Sequence, residues 1–271
     1  MNSVSLLGVR IDVIDEARTK ELLATWLGSS EVSTTKLVCT PNPEFLLAAK
    51  GDAKFAELLN SFDLNLPDGV GLRFASAALN DDSDKVIRRR VPGVLALQML
   101  AELCAENGKS MLFIGEREVA EKAAAELRKR YSQLVIKIID PGVIDGEGKT
   151  PTSIIDEVRM MKPKVIAVGL GQGKQEKFIR HLERNSAQVM IGVGGAFAMI
   201  GGVLRRAPRV MQRLGLEWLW RLTIEPQRWR RIWRATVVFP LTVILITLQE
   251  HKFWRAVRRT APEIFWQLIG R

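Results

Sequence analysis

Three observations predict an α/β protein with a helical C-terminal appendage. Over residues 1–202, short apolar runs closed by Gly, Pro or Asp alternate with helical patterns. That is the rhythm of βα units, and it predicts a mostly parallel sheet covered on both faces by helices. Four polar or glycine-rich turns fall at the carboxyl ends of the expected strands, where such sheets bind ligands. After Gly201-Gly202 the rhythm stops, and helical pieces rich in Arg and Trp follow. The 271 residues are 47% hydrophobic and 26% charged, enough apolar material for a full core and unlike a disordered chain.

The expected strands are Val4–Ile11, Lys36–Thr40, Leu64–Pro67, Ser110–Gly115, Val135–Asp140, Lys164–Gly169 and Gln188–Val193. Several are unbroken apolar runs, as strands buried on both faces of a Rossmann-like sheet would be. The expected helices are Glu16–Leu27, Pro43–Asn60, Phe74–Leu79, Val94–Asn107, Glu118–Tyr131, Ile154–Met161 and Gln175–Arg184. The N-terminus carries no basic leader, and Arg10 and Asp12 interrupt its first apolar run, so that run reads as a strand and not a signal peptide. Two cysteines, Cys39 and Cys104, make no disulfide framework and fit a reducing compartment.

Residues 203–271 hold 14 Lys and Arg against 4 Asp and Glu, a net of +10 that equals the formal charge of the whole chain. Six of the seven Trp lie there: Trp218, Trp220, Trp229, Trp233, Trp254 and Trp266. Arg mixed with Trp and long apolar runs suits the interface of an anionic membrane. Ala235–Gln249 is uncharged for 15 residues and bounded by Arg234 and Glu250. A spanning helix needs about 20 residues, so this stretch is expected to lie in the interface or re-enter it; a tilted span and a soluble core helix are the alternatives. The expected organisation is a catalytic core over 1–202, an Arg/Trp-rich appendage over 203–234 and a membrane-anchoring extension over 235–271.

The turns carry the chemistry. Asp68 closes a strand ahead of Gly69 and Gly71, where an ionised carboxylate acts as a general base or, equally, as a turn or capping residue. Thr40 and Asn42 can bind sugar hydroxyls or phosphate, or cap the helix that Pro43 opens. Gly169-Leu170-Gly171-Gln172-Gly173-Lys174 is not a phosphate-binding Walker loop, since three residues separate Gly169 from Gly173-Lys174 and Gln175 follows. It fails the dinucleotide pattern too, as does Gly192–Gly195, which disfavours a nicotinamide enzyme. Backbone N–H groups at a helix start could still cradle a diphosphate. Asp81-Asp82-Ser83-Asp84 resembles the acidic metal box of sugar-nucleotide transferases but reads as a solvated loop. The two His, His181 and His251, make neither a zinc site nor a catalytic triad. No nucleic-acid-binding module is found despite the basic charge. Arg221, Arg228 and Arg231 would align on one continuous helix, but Pro226 argues against continuity, so their convergence needs two helices to meet; a solvated basic face or a lipid-headgroup contact is the alternative.

In order along the chain stand Thr40-x-Asn42, Pro67-Asp68-Gly69-x-Gly71, Arg90-x-x-Gly93, Gly169-x-Gly171-x-x-x-Gln175-Glu176, Gly192-x-Gly194-Gly195-x-Phe197 and Arg206-Ala207-Pro208. Gly215-Leu216-Glu217-Trp218-Leu219-x-Arg221 and Glu225-Pro226-x-Arg228-x-x-Arg231 follow. With these motifs the chain resembles the WecG/TagA/CpsF glycosyltransferases, family 26, from about Val4 to Arg234. The resemblance implies inverting, metal-independent transfer from a UDP-sugar (ManNAc, ManNAcA or hexose type) to a polyprenyl-diphosphate-linked saccharide. The implied place is the cytoplasmic face of the bacterial inner membrane, in cell-surface polysaccharide synthesis such as teichoic acid linkage units or exopolysaccharide. It implies no cofactor, no metal and no nucleic acid, and leaves the oligomeric state open, a homo-oligomer included. By position, Asp68 matches the base and Thr40 and Asn42 match a pair lining the substrate site. Gln175 matches a polar active-site residue, and Arg221, Arg228 and Arg231 match appendage arginines that meet the diphosphate. Arg90, Gly169, Gly171, Glu176, Gly194 and Gly195 complete the expected binding set. Three positions depart from the family pattern: Gly173, Leu95 and Ala198. Ala198 stands where an Asp is usual beside the expected nucleotide pocket, which leaves the donor open. It also motivates an alternative, a catalytically impaired member acting as a membrane scaffold in polysaccharide assembly.

Overall fold

Val4–Ile11 is two strands and not one. Ser3–Leu6 (β1) and Val9–Asp12 (β2) pair antiparallel in a separate two-stranded sheet. Leu7 and Gly8, both at positive φ (51° and 85°), make the tight turn, a conformation that matches the twist of a two-residue hairpin. Val4, Leu6, Val9 and Ile11 all face the core. The hairpin is tied down by Asp12, whose buried carboxylate accepts the Asn65 N–H at 2.7 Å. The computed structural model describes residues 2–28, 34–182, 185–205, 207–208, 210–211, 214 and 216–268. Arg206, Gly215 and the expected helix end at Arg184 lie outside them.

The main sheet is six-stranded and parallel. It is built from Lys36–Cys39 (β3), Leu64–Asn65 (β4), Ser110–Gly115 (β5), Val135–Ile139 (β6), Val165–Gly169 (β7) and Val189–Gly192 (β8). Their order across the sheet is β4-β3-β8-β7-β5-β6. Alternate residues of each strand enter opposite cores: Leu112 and Ile114 pack on one face with Ile166, Val168 and Met190, while Met111 and Phe113 pack on the other with Val165, Ala167 and Ile191. Burial on both faces is why the central strands β7 and β8 are apolar or glycine throughout, whereas the edge strand β6 carries the exposed Lys137.

The helices Glu16–Gly28 (α1), Pro43–Gly51 (α2), Ala53–Asn60 (α3), Val70–Leu79 (α4), Gly93–Glu106 (α5), Arg117–Arg130 (α6), Thr152–Met161 (α7), Lys174–His181 (α8) and Ala196–Ile200 (α9) surround the sheet. The single helix expected over Pro43–Asn60 breaks at Asp52, which is extended (φ −142°) and caps α3 by accepting the Phe55 N–H at 3.1 Å. The helix expected from Phe74 begins one turn earlier, directly after the Asp68-Gly69 turn.

Beyond the core, helix Glu217–Ile224 stops at Glu225, whose backbone (φ −132°, ψ 68°) leaves the helical region, which Pro226 disfavours for the residue before it. From Pro226 to Gln249 the chain is one helical run of 24 residues, containing a π turn at Arg234–Val238. Pro240 cannot donate to the carbonyl four residues back, and the π turn absorbs that gap. The run is long and apolar enough to cross a membrane by length and composition. One stripe of it is docked on the protein: Phe239, Val243 and Thr247 are buried, and Phe239 and Val243 join the core beside α2 and α4. Leu241, Ile244, Leu245 and Leu248 remain exposed. Helix Phe253–Leu268 then returns along α4, where Arg73 pairs with Glu263 at 2.6 Å and Asp81 receives Arg255 at 2.9 Å. Asp81–Asp84 is thus an exposed loop, as expected, with Asp81 receiving tail arginines.

Candidate active site

The turns after β3, β4 and β8, with part of the turn after β7, open into one cleft of about 400 Å³, and the tail closes its far side. Its lining includes Thr40, Asn42, Asp68, Arg90, Gly171, Gln175, Gly194 and Gly195 from the body, and Glu217, Arg221, Arg228 and Arg231 from the tail. Sheet topology explains the body half: β4, β3, β8 and β7 are neighbours, so their carboxyl ends present one rim.

Asp68 sits at the floor of this rim. Its N–H donates to Pro41 O at 2.9 Å, and its carboxylate accepts the Gly93 N–H. Burial pushes its pKa from 3.8 up to about 6, against the pull of Arg90, the Gly93 N–H and Arg221, while Glu217 adds to the rise. The following residue must be glycine: Gly69 holds φ 118°, and a Cβ there would press on Pro43 Cδ at 3.2 Å. The Asp68 turn and the Asn42-Pro43 turn are therefore packed against each other.

Asn42 caps α2: its Oδ1 accepts the N–H groups of Glu44 (2.9 Å) and Phe45 (3.2 Å). The Thr40 hydroxyl donates to Gly192 O at 3.3 Å and stands beside Gly93. Gln175 is almost wholly buried with both ends of its amide engaged; its Oε1 accepts the Gly194 N–H (2.9 Å) and its Nε2 donates to Glu176 (2.6 Å). Gly192 is where it is because a Cβ would lie 2.8 Å from that Nε2. Glu176 is fully buried and also accepts the Gly173 N–H at 2.7 Å; burial pushes its pKa up to about 7. Among the described residues, the cleft lining includes neither Glu176 nor Gly169, whose Cα is covered by the Phe197 ring. These two brace the loops, and Gln175 holds the Gly194 turn that faces the cleft. Ala198 is likewise outside the lining, on α9, with its carbonyl accepting the Leu204 N–H.

The three tail arginines converge from two helical segments meeting at Glu225. That carboxylate takes Arg221 Nη1 at 2.6 Å on one oxygen and Arg228 Nε at 3.0 Å on the other. Arg231 reaches Glu44 at 2.9 Å and Gln172 at 3.3 Å. Arg90 is ion-paired with Glu217. Burial and the neighbouring Arg221 and Arg231 lower the pKa of Arg228, against the pull of Glu225. The three guanidiniums, partly to half exposed at the wall of the cleft, offer bidentate donors to a diphosphate. Sequence reasoning passed over Glu44 and gave no role to Glu217 and Glu225, which stand in the quoted motifs. Glu225 stands four residues after Arg221 and three before Arg228, the one local signal of its pairing; Glu44 and Glu217 act over long range. Among the described residues no three His, Cys, Asp or Glu side chains group as a metal site.

The sequence matches the Glycosyl transferase WecG/TagA/CpsF family over residues 4–253. It is 29% identical over 255 residues to N-acetylglucosaminyldiphosphoundecaprenol N-acetyl-beta-D-mannosaminyltransferase of Staphylococcus aureus strain NCTC 8325 / PS 47, covering 93% of this chain and 95% of that one. The protein of the same description from strain MW2 is 28% identical over the same coverage. The match spans the cleft-forming turns and the arginine-bearing tail alike, and the chain belongs to the WecG/TagA/CpsF family of glycosyltransferases.

Proposed function

We propose that this glycosyltransferase moves a sugar, with inversion, from a UDP-sugar to the hydroxyl of a polyprenyl-diphosphate-linked saccharide at the cytoplasmic face of the inner membrane. One observation carries the reading: a carboxylate held partly ionised near neutral pH and three clustered arginines line the same cleft, Asp68 from the sheet and Arg221, Arg228 and Arg231 from the tail. The activity for which the staphylococcal relatives are named supports a lipid-diphosphate acceptor and a β-linked product.

In the proposed step Asp68 takes the proton of the acceptor hydroxyl, whose oxygen bonds to the anomeric carbon of the donor. The bond from that carbon to the UDP oxygen breaks on the opposite face, and UDP departs with the electron pair. The arginines neutralise diphosphate charge, a role that a metal ion fills in other enzymes. Thr40 and Asn42 border the space where sugar hydroxyls would sit. The exposed Trp229, Trp233, Leu241, Leu245 and Leu248 of the long helix, with the basic tail, favour an anionic bilayer surface. The scaffold alternative rests on Ala198, which is not part of the cleft lining among the described residues.

The test is transfer by the full chain, in EDTA, with N-acetylglucosaminyl-diphosphoundecaprenol in anionic vesicles and a panel of UDP-sugars, read by mass spectrometry. The expected product carries one added sugar from one donor. An unchanged acceptor with every donor would refute the proposal, and transfer only without EDTA would refute its metal-independent form.

A further inference from the structure

Asp68 shares its cleft with charges from three directions. Arg90 comes from the loop before α5, Glu217 and Arg221 from the tail helix Glu217–Ile224, and Glu44, Arg228 and Arg231 from α2 and the long tail helix. Arg90 and Glu217 lie 127 residues apart and form an ion pair in which both side chains are about one-quarter exposed. Such a pair is held by two separate pieces of the chain: Arg90 belongs to the body, whereas Glu217 arrives only when the tail is seated. Without Glu217 beside it, the Arg90 guanidinium would act with less opposition on Asp68, which lines the same cleft and whose proton affinity Arg90 lowers.

We infer that Glu217 is a positioning residue for the transfer reaction: seated by the tail, it engages Arg90 and so sets the electrostatic surroundings in which Asp68 accepts a proton. This rests on the reading of Asp68 as the base. Its consequence is that the base is fully competent only when the tail is docked. A chain with its tail lifted holds Asp68 against Arg90 as an ion pair, where it is a poorer proton acceptor, and donor hydrolysis in the open state is thereby suppressed. The direction follows from the charges facing Asp68: Glu217 raises its proton affinity, and Arg90 and Arg221 lower it.

The experiment is the pH dependence of kcat/KM of the full chain on the vesicle-borne acceptor, for wild type, Glu217→Gln, Glu217→Asp, Arg90→Gln with Glu217→Gln, and Asp68→Asn. Wild type is expected to lose activity below about pH 6. In Glu217→Gln that acid limb moves down by about 1 pH unit, the size of effect a neighbouring charge produces, with a lower plateau. Glu217→Asp, one methylene shorter with the charge kept, brings the limb back towards the wild-type position. Removing Arg90 as well reverses the downward shift, because the charge that Glu217 offsets is gone. A merely structural role for Glu217 would scale the whole profile without moving the limb. An unmoved limb in Glu217→Gln, or a failure of Glu217→Asp to restore it, overturns the inference while an inactive Asp68→Asn leaves the base reading intact. A fully active Asp68→Asn overturns both.

Discussion

Arg231 meets Glu44 at 2.9 Å, joining the long tail helix to the first turn of α2 across the mouth of the cleft. The same guanidinium reaches Gln172 in the loop after β7. Protein carboxylates pair with these arginines: Glu44 with Arg231, and Glu225 with Arg221 and Arg228. Arg231→Ala is expected to lower kcat/KM for the lipid-diphosphate acceptor by roughly 10–100-fold, since hydrogen bonds to charged groups contribute about 1.5–3 kcal/mol. Lysine restores only part of the loss, because it cannot form a bidentate contact. Steady-state kinetics on vesicle-borne acceptor decides it; a wild-type kcat/KM would remove Arg231 from diphosphate binding.

The pH profile follows from Asp68. A base must be ionised to accept a proton, and burial places this carboxyl at about 6. The rate constant kcat/KM is therefore expected to fall about tenfold per pH unit below that value and to level off above it. A limb near pH 4 would mean that the working carboxylate is in an ordinary aqueous environment.

Stability should carry the opposite pH sign from the usual salt-bridged carboxylate. Glu176 rises from 4.5 to about 7 on folding because it is buried. The folded chain holds that proton where the unfolded chain has lost it. The contribution is therefore fully present below about pH 4.5 and is lost as pH climbs through about 7. Asp68 acts in the same sense between 3.8 and about 6. Glu176→Gln should flatten the fall in denaturant midpoint between pH 6 and 7.5, where Asp68 contributes little. An unchanged slope would show that Glu176 ionises normally in the fold.

The long tail helix has two apolar faces with different work to do. Phe239 is buried against Gly71 of the Asp68 turn, and Phe239→Ala should cost about 3–5 kcal/mol in chemical denaturation. Leu241, Leu245 and Leu248 are exposed, and their joint replacement by Ser should leave the midpoint within about 0.5 kcal/mol per site. That triple variant should instead weaken sedimentation with anionic vesicles by at least about tenfold, given the transfer energy of even partly buried leucines. Unaltered vesicle binding would move the membrane contact elsewhere on the tail.

Much of the scaffold was legible because its physics is local. Strands such as Val165–Gly169 and Val189–Gly192 are apolar throughout since both faces are covered, and their Gly and Asp terminators put the functional turns on one edge. Pro226 announced that the arginines must come from two segments, and they do. The hairpin at Leu7-Gly8 was hidden because Leu7 extends the apolar run, and its one local sign is the step of three from Leu6 to Val9, which breaks the period-two alternation. The break at Asp52 escaped notice because the capping side chain leaves the helical pattern on either side intact. Gln175 and Glu176 stand in a motif with cleft residues, yet their polar atoms are turned to the Gly194 and Gly173 loops. Arg90 with Glu217, and Arg231 with Glu44, join residues with no shared local pattern; only the seated tail reveals them.

The central claim is that Asp68 is the base of the transfer. Its most direct measurement is the single-turnover transfer rate of Asp68→Asn against wild type, on the same lipid-linked acceptor, with UDP affinity measured alongside. The account predicts a rate lower by about 10²–10⁴-fold, with UDP affinity unchanged. Transfer by Asp68→Asn at the wild-type rate would contradict it.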